Sequence, residues 1–127
     1  MTCSLSVAMP LDKKEKCGVC GVWGAPDSAI RAYHALYALQ HRGQESAGIA
    51  VSDGRTLDSH VGMGLVPEVF SQRILEQLDG KAAIGHNRYS TTGSPRSCNA
   101  QPLLQEFSGG QVAVAHNGNL VNAGLLR

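Results

Sequence analysis

Short apolar runs that each end in a cluster of polar residues and glycines constrain this chain's fold more than any other feature. Cys17 to Trp23 (CGVCGVW), Ala47 to Ser52 (AGIAVS), Ala82 to Tyr89 (AAIGHNRY), Leu103 to Phe107 and Gln111 to His116 are all too short for typical helices and read as strands, the first as a buried one. Pro26 and Asp27 open a helix in which Ile30, Tyr33, Leu36, Tyr37 and Gln40 recur at i, i+3, i+4 spacing, and Gly43 stops it. Asp53-Gly54 is a hairpin signal, with a return strand near Thr56 to Val61. Ser71 caps a short helix over Gln72 to Leu78, and Thr91 to Asn99 is a polar loop. Ser108-Gly109-Gly110 joins the last two strands into a hairpin. Strand, helix, several strands, helix is an order that predicts sheets layered with helices rather than an all-parallel βαβ domain.

With 127 residues, 43% hydrophobic and 17% charged, the chain has enough apolar material for one domain with its own core. The net charge of +1 is spread without a Lys/Arg stripe, which gives no nucleic-acid surface. No apolar run approaches the roughly 18 residues of a membrane span. In Met1–Lys16 the charges come late, at Asp12 to Lys16, and Ser4, Ser6 and Pro10 break the apolar part, the reverse of an export signal. A cytoplasmic address follows, and the cysteines, Cys3, Cys17, Cys20 and Cys98, have no repeated spacing and are expected as reduced thiols. Leu125-Leu126-Arg127 reads as the first turn of a helix with no stop signal, the expectation for a fragment of a longer protein.

Three clusters carry polar groups placed directly after strands, where sites are built: HRGQESAG at 41–48, GHNRYSTTG at 85–93 and HNGN at 116–119. Each alone is equally an ordinary turn; together, behind a cysteine at a strand start, they point to a site. A thiol attacks as thiolate, and with an ordinary cysteine pKa of about 8.5 it needs a base. No papain-type Cys-His-Asn order is present. If Cys17 were the first residue, its α-amine, of ordinary pKa about 7.7–8.0, would be that base, so the chemistry requires removal of Met1–Lys16. Taken alone, Cys17 reads more readily as a buried structural thiol. The Asn117 side-chain amide beside the Gly118 backbone N–H is a donor pair suited to an oxyanion, or else a plain Asn-Gly turn. Arg88, in a loop with Thr91 and Thr92, suits bidentate binding of a carboxylate, or else a surface ion pair. Arg42 next to Gly43 is equally part of a helix end. His34, His41, His60, His86 and His116 show no metal-ligand spacing, and Cys17-x-x-Cys20 is half of a zinc or redox signature without its second half. Gly62-x-Gly64 lacks the context of a phosphate loop.

CGVCGVWG, LQHRGQESAGIAVSDG, HVGMGLVPEVF, AIGHNRYSTTGS, NAQPLL and AVAHNGNLVNAGLLR, in that order over 17–127, resemble the N-terminal glutaminase domain of amidophosphoribosyltransferases. Gln44-Glu45 and Tyr89 are similar to the phosphoribosyl branch; the sugar-phosphate synthases of the same class tend to show HRGYDSAG and a Trp in place of the tyrosine. The resemblance implies an α+β fold, the four-layer αββα sandwich of N-terminal nucleophile hydrolases, C-terminally incomplete here. It implies a leader, 1–16, removed on maturation, with Lys16 where an acidic residue often stands, and a partial glutamine amidotransferase domain over 17–127 that lacks its phosphoribosyltransferase partner domain.

Carried over by position, Cys17 is the nucleophile with its amine as base, and Asn117 and Gly118 form the oxyanion hole. Arg88, with Thr91, holds the glutamine α-carboxylate, and Arg42 orders the nucleophile's surroundings. The implied activity is hydrolysis of glutamine through a Cys17 thioester, with ammonia delivered to phosphoribosyl pyrophosphate to form phosphoribosylamine, the first committed step of purine synthesis. The segment itself implies no cofactor or metal. Magnesium, and in some members a 4Fe-4S cluster, belong to the C-terminal part, to whose cluster ligands Cys17, Cys20 and Cys98 do not correspond. The full-length enzyme is expected as a homo-oligomer with no nucleic-acid or membrane partner, and the isolated segment is expected to be inactive. The alternatives are the glutaminase of another class II amidotransferase, a Cys-based redox or zinc module, and a non-catalytic relative kept as an interaction domain.

Overall fold

The computed structural model describes residues 17–89, 97–118 and 121–126. Its centre is an antiparallel sheet of four strands, β1 (Gly18–Trp23), β2 (Ser46–Ser52), β3 (Leu57–Met63) and β4 (Ala82–Arg88), in the order β1-β4-β2-β3. The hairpin β2–β3 forms where Asp53-Gly54 predicts it. The Asp53 carboxylate closes its turn by accepting from Thr56 N and Arg55 N, both at 2.7 Å. Those bonds, Thr56 first, hold this exposed carboxyl below its usual range. A second hairpin, β5 (Leu103–Phe107) and β6 (Gly110–Val114), lies across one face of the sheet, tied to it by Leu57 N donating to Gln111 Oε1 at 2.7 Å.

Three helices cover the other face: α1 (Ser28–Ala38), α2 (Val66–Val69) and α3 (Gln72–Gln77). The apolar stripe of α1 buries Ala29, Ala32 and Leu36 against Ile49, Val51 and Ala83 of the sheet, with Val66, Val69, Phe70 and Leu78 completing one core. Leu36 is fully enclosed, and its truncation to Ala would cost on the order of 2–5 kcal/mol. The helix ends at Ala38, earlier than its periodicity predicts, and Gln40–Arg42 continue as a 3-10 turn. Gly43 is not a left-handed stop: its φ is −155°. A Cβ there would stand 2.7 Å from the Asn87 carbonyl carbon and 2.8 Å from that of Arg88, so glycine is required because the turn is pressed against the end of β4. Ser71 caps α3 as its position predicts, its Oγ accepting from Ile74 N at 3.3 Å.

The expected buried first strand is corrected: β1 is a sheet edge whose exposure alternates, with Trp23 90% exposed. Its apolar residues face α1 on one side and an apolar cleft of about 500 Å³ between the two sheets on the other. β2 is buried on both faces, flanked by β3 and β4. Glycine at 48 allows the Gln101 backbone oxygen to lie directly on the strand. The short helix α2 was not expected, although Pro67 in its first turn and Glu68, whose Oε2 accepts from Leu65 N at 2.8 Å, mark its start. Helix, sheet and sheet are thus the layers formed by the described residues. No helix among them is long and apolar enough to cross a membrane.

Candidate active site

Three separate stretches converge on Cys17, just before β1. The Arg42 Nε–H donates to the Cys17 carbonyl oxygen at 2.9 Å, and the Asn117 Nδ2–H donates to the same oxygen at 3.2 Å. The thiol lies against the backbone of Tyr89, its sulfur accepting from Tyr89 N at 3.5 Å and lying 3.8 Å from Tyr89 O. Sequence distance is closed by the sheet: β1 and β4 pair antiparallel with Gly18 opposite Asn87, which sets Cys17 beside the end of β4. The 3-10 turn after α1 then carries Arg42 to the same corner, held by Gln40, whose Nε2 donates to Gly43 O at 2.6 Å and whose Oε1 accepts from Val66 N at 2.7 Å.

Cys17 and Cys20 do not act as a pair. Residues three apart on a strand face opposite ways, and the Cys20 thiol lies under α1 with its sulfur 3.8 Å from Ala32 O. Burial pushes the Cys20 thiol above its ordinary pKa. Cys98 is exposed. Among the described residues no group of three His, Cys, Asp or Glu side chains is placed to hold a metal ion.

Arg88, at the end of β4, is not the exposed ion pair that its sequence leaves open. Its Nη1 bonds Glu45 Oε1 at 2.9 Å, with the side chains 13% and 14% exposed. The backbones are also joined, Glu45 N donating to Arg88 O at 3.1 Å. Glu45 is therefore part of the site's framework, a role unread in the sequence although it lies in the first polar cluster. Predicted Thr91 lies outside the described residues, as do Thr92 and Asn119. Gly118, at φ +154°, follows Asn117 directly. The HNGN corner is supported by two further residues that sequence reasoning missed: Gln101 Oε1 accepts from His116 N at 2.7 Å, and His86 Nε2 lies 3.2 Å from the His116 carbonyl oxygen. His86 is fully buried, and burial, above all, pushes its imidazolium pKa below the ordinary value.

The arrangement therefore presents a thiol beside a backbone N–H, an amide NH₂ group anchored through one hydrogen on the Cys17 carbonyl, and a guanidinium paired with a carboxylate. Such a set suits attack on an amide carbonyl of a zwitterionic or anionic substrate.

No family model matches the chain. It is 54% identical over 128 residues to an amidophosphoribosyltransferase of Synechococcus elongatus, a match that takes in 100% of this chain and 26% of that protein. The solved structure of glutamine phosphoribosylpyrophosphate amidotransferase from B. subtilis, complexed with ADP and GMP, superposes with a TM-score of 0.76 at 49% identity, over 85% of this chain and 23% of that one. A structure described as the allosteric regulatory enzyme of purine biosynthesis gives a TM-score of 0.80 at 50% identity, with the same coverage of 85% and 23%. The chain thus spans about a quarter of the length of the curated relatives it matches. Matched along its length in sequence, and over 85% of it in fold, the chain is similar to the N-terminal domain of amidophosphoribosyltransferases and shares its α+β architecture of the N-terminal nucleophile type.

Proposed function

We propose that this chain is the glutaminase domain of an amidophosphoribosyltransferase, with Cys17 as its nucleophile. The observation that supports the reading most is the convergence of Arg42, Asn117 and the Tyr89 backbone on Cys17 from three distant parts of the sequence. Removal of Met1–Lys16 frees the Cys17 α-amine, which takes the thiol proton. The sulfur bonds to the side-chain carbonyl carbon of glutamine, the amine returns the proton to the leaving nitrogen, and ammonia departs. Water then cleaves the γ-glutamyl thioester to glutamate and regenerates the thiol.

During attack, Asn117 Nδ2–H and Gly118 N–H donate to the oxyanion; one Nδ2 hydrogen fixes the amide on Cys17 O and the other serves the substrate. Arg88, oriented by Glu45 and aided by Thr91, receives the α-carboxylate in the fork of its guanidinium. Arg42 steadies the Cys17 carbonyl.

Within the longer enzyme the ammonia passes to phosphoribosyl pyrophosphate on a phosphoribosyltransferase domain, giving phosphoribosylamine for purine synthesis in the cytoplasm of a homo-oligomeric protein. Magnesium, and an iron–sulfur cluster where one is carried, belong to that other domain. The cysteines here do not fit cluster ligation, since Cys17 and Cys20 face opposite sides of β1.

The test uses the full-length protein. Cys17→Ser should abolish glutamine-dependent synthesis and leave ammonia-dependent synthesis largely intact, while Cys20→Ser spares both. Equal loss of the two activities in Cys17→Ser would make Cys17 structural and sink the reading.

A further inference from the structure

His86 is hard to explain by stability. It sits on β4, opposite Val19 of β1 and Gly48 of β2, and is 0% exposed. A phenyl or aliphatic side chain would fill that place without the desolvation cost of an imidazole. Its Nδ1 is buried without a hydrogen-bond partner among the described residues, and its one bond is Nε2–H donating to the His116 carbonyl at 3.2 Å. That bond requires the neutral Nε2–H tautomer or the imidazolium, and burial disfavours the latter. The other end of the same residue is held as well, His116 N–H donating to Gln101 Oε1 at 2.7 Å. Both backbone polar groups of His116, the residue directly before Asn117, are therefore engaged by side chains from elsewhere in the fold.

We propose that His86 and Gln101 are positioning residues that clamp the His116 backbone and thereby aim Asn117 and Gly118 at the reacting carbonyl. The inference rests on the glutaminase reading above. Oxyanion donors act over a narrow range of about 2.7–3.1 Å, and a misplacement of about 1 Å can cost on the order of 10²-fold in rate. A fixed backbone at His116 therefore matters to the rate more than to substrate affinity, since the oxyanion exists only during attack.

The chemistry of the clamp dictates the variants. His86→Gln keeps an N–H donor at the Nε2 position, and His86→Phe keeps the bulk without the donor. Gln101→Glu keeps the acceptor, and Gln101→Met keeps the length without it. In the full-length protein, His86→Phe and Gln101→Met should each lower kcat for glutamine hydrolysis about 10- to 100-fold, with KM within about threefold. His86→Gln and Gln101→Glu should recover most of that loss. If the two act through Asn117, adding either to Asn117→Ala should lower kcat little further than Asn117→Ala alone.

A circular-dichroism spectrum and an unfolding midpoint close to wild type report that each variant is folded. Gln101 is only half-buried, so Gln101→Met carries the test if His86→Phe does not fold. Unchanged kcat in a folded Gln101→Met or His86→Phe protein overturns the clamp, as does a full additional loss in the double variants. Absence of glutamine hydrolysis in the wild-type protein instead overturns the glutaminase reading, and this inference with it.

Discussion

Asn117 Nδ2 lies 3.2 Å from the carbonyl oxygen of Cys17, a contact made across 100 residues of sequence. It places the proposed oxyanion donor at the nucleophile before any substrate is bound. Asn117→Ala should lower kcat for glutamine hydrolysis by on the order of 10² to 10³ and leave KM nearly unchanged, because the charge it serves develops only during attack. Steady-state kinetics on the full-length protein decides this. A raised KM with kcat preserved would leave the plain Asn-Gly turn as the better account.

Arg88 makes the opposite prediction. The glutamine α-carboxylate carries the same charge in ground and transition states, so loss of its partner weakens binding. Arg88→Lys keeps the charge beside Glu45 but not the planar fork, and should raise KM roughly 10- to 100-fold with kcat within a few-fold. A fall in kcat at constant KM would move Arg88 out of the binding role.

The proposed mechanism has no base other than the Cys17 α-amine, so the mature enzyme should begin at Cys17. Intact-mass measurement of native protein reads this directly. An active enzyme that retains Met1–Lys16 would rule the mechanism out.

Gly43 ties the fold to the site. Its added Cβ would meet the Asn87 and Arg88 backbone at 2.7–2.8 Å, and backbone yields less readily than a side-chain tip. Gly43→Ala should destabilise the protein by about 1–3 kcal/mol through overpacking. The displaced strand end should also raise KM for glutamine, since Arg88 moves with it. Denaturant unfolding and kinetics together check this, and an unshifted midpoint would show that the turn retreats freely.

The buried His86 gives stability a pH dependence of definite sign. Burial lowers its folded pKa below the ordinary 6.5, helped by nearby Arg88 and His116, while the bond to the His116 carbonyl works the other way. The unfolded chain then takes up this proton at higher pH than the folded one. The resulting stability is undiminished above about pH 6.5 and declines as the pH falls from there towards the lowered folded value. Wild type should therefore lose more stability than His86→Gln between about pH 7.5 and 5.5. Thermal melts of both proteins across that range provide the comparison, and parallel losses would mean that His86 is not buried as a neutral base.

Much of the local structure was legible because it is written in local chemistry. The short apolar runs of β2 and β4, the i, i+3, i+4 spacing of α1, Ser71 before α3 and Asp53-Gly54 between β2 and β3 each act over a few residues. The polar clusters could also be read, since hydrophilic groups at strand ends stand out against apolar runs. Arg42, Arg88 and Asn117 were all drawn from them, with Cys17 read separately at a strand start, and two of the three meet at one carbonyl oxygen, that of Cys17. Glu45 and His86 lay in the same clusters without any signal of what they would touch.

The sequence by itself determined where the strands, α1 and α3 fall to within a few residues, and which polar groups end up at strand tips, but not α2. Only the tertiary structure decided that β1 pairs with β4 instead of β2, and so sits at an edge with Trp23 exposed. That pairing seats Cys17 at Tyr89, the pairing of β4 with β2 sets Arg88 against Glu45, and the placement of the β5–β6 hairpin brings His116 to His86. The physical reason is range. Periodicity, capping and turn chemistry are interactions among near neighbours, whereas strand partners are chosen by how all the apolar faces can be buried at once, which no short stretch of the chain encodes.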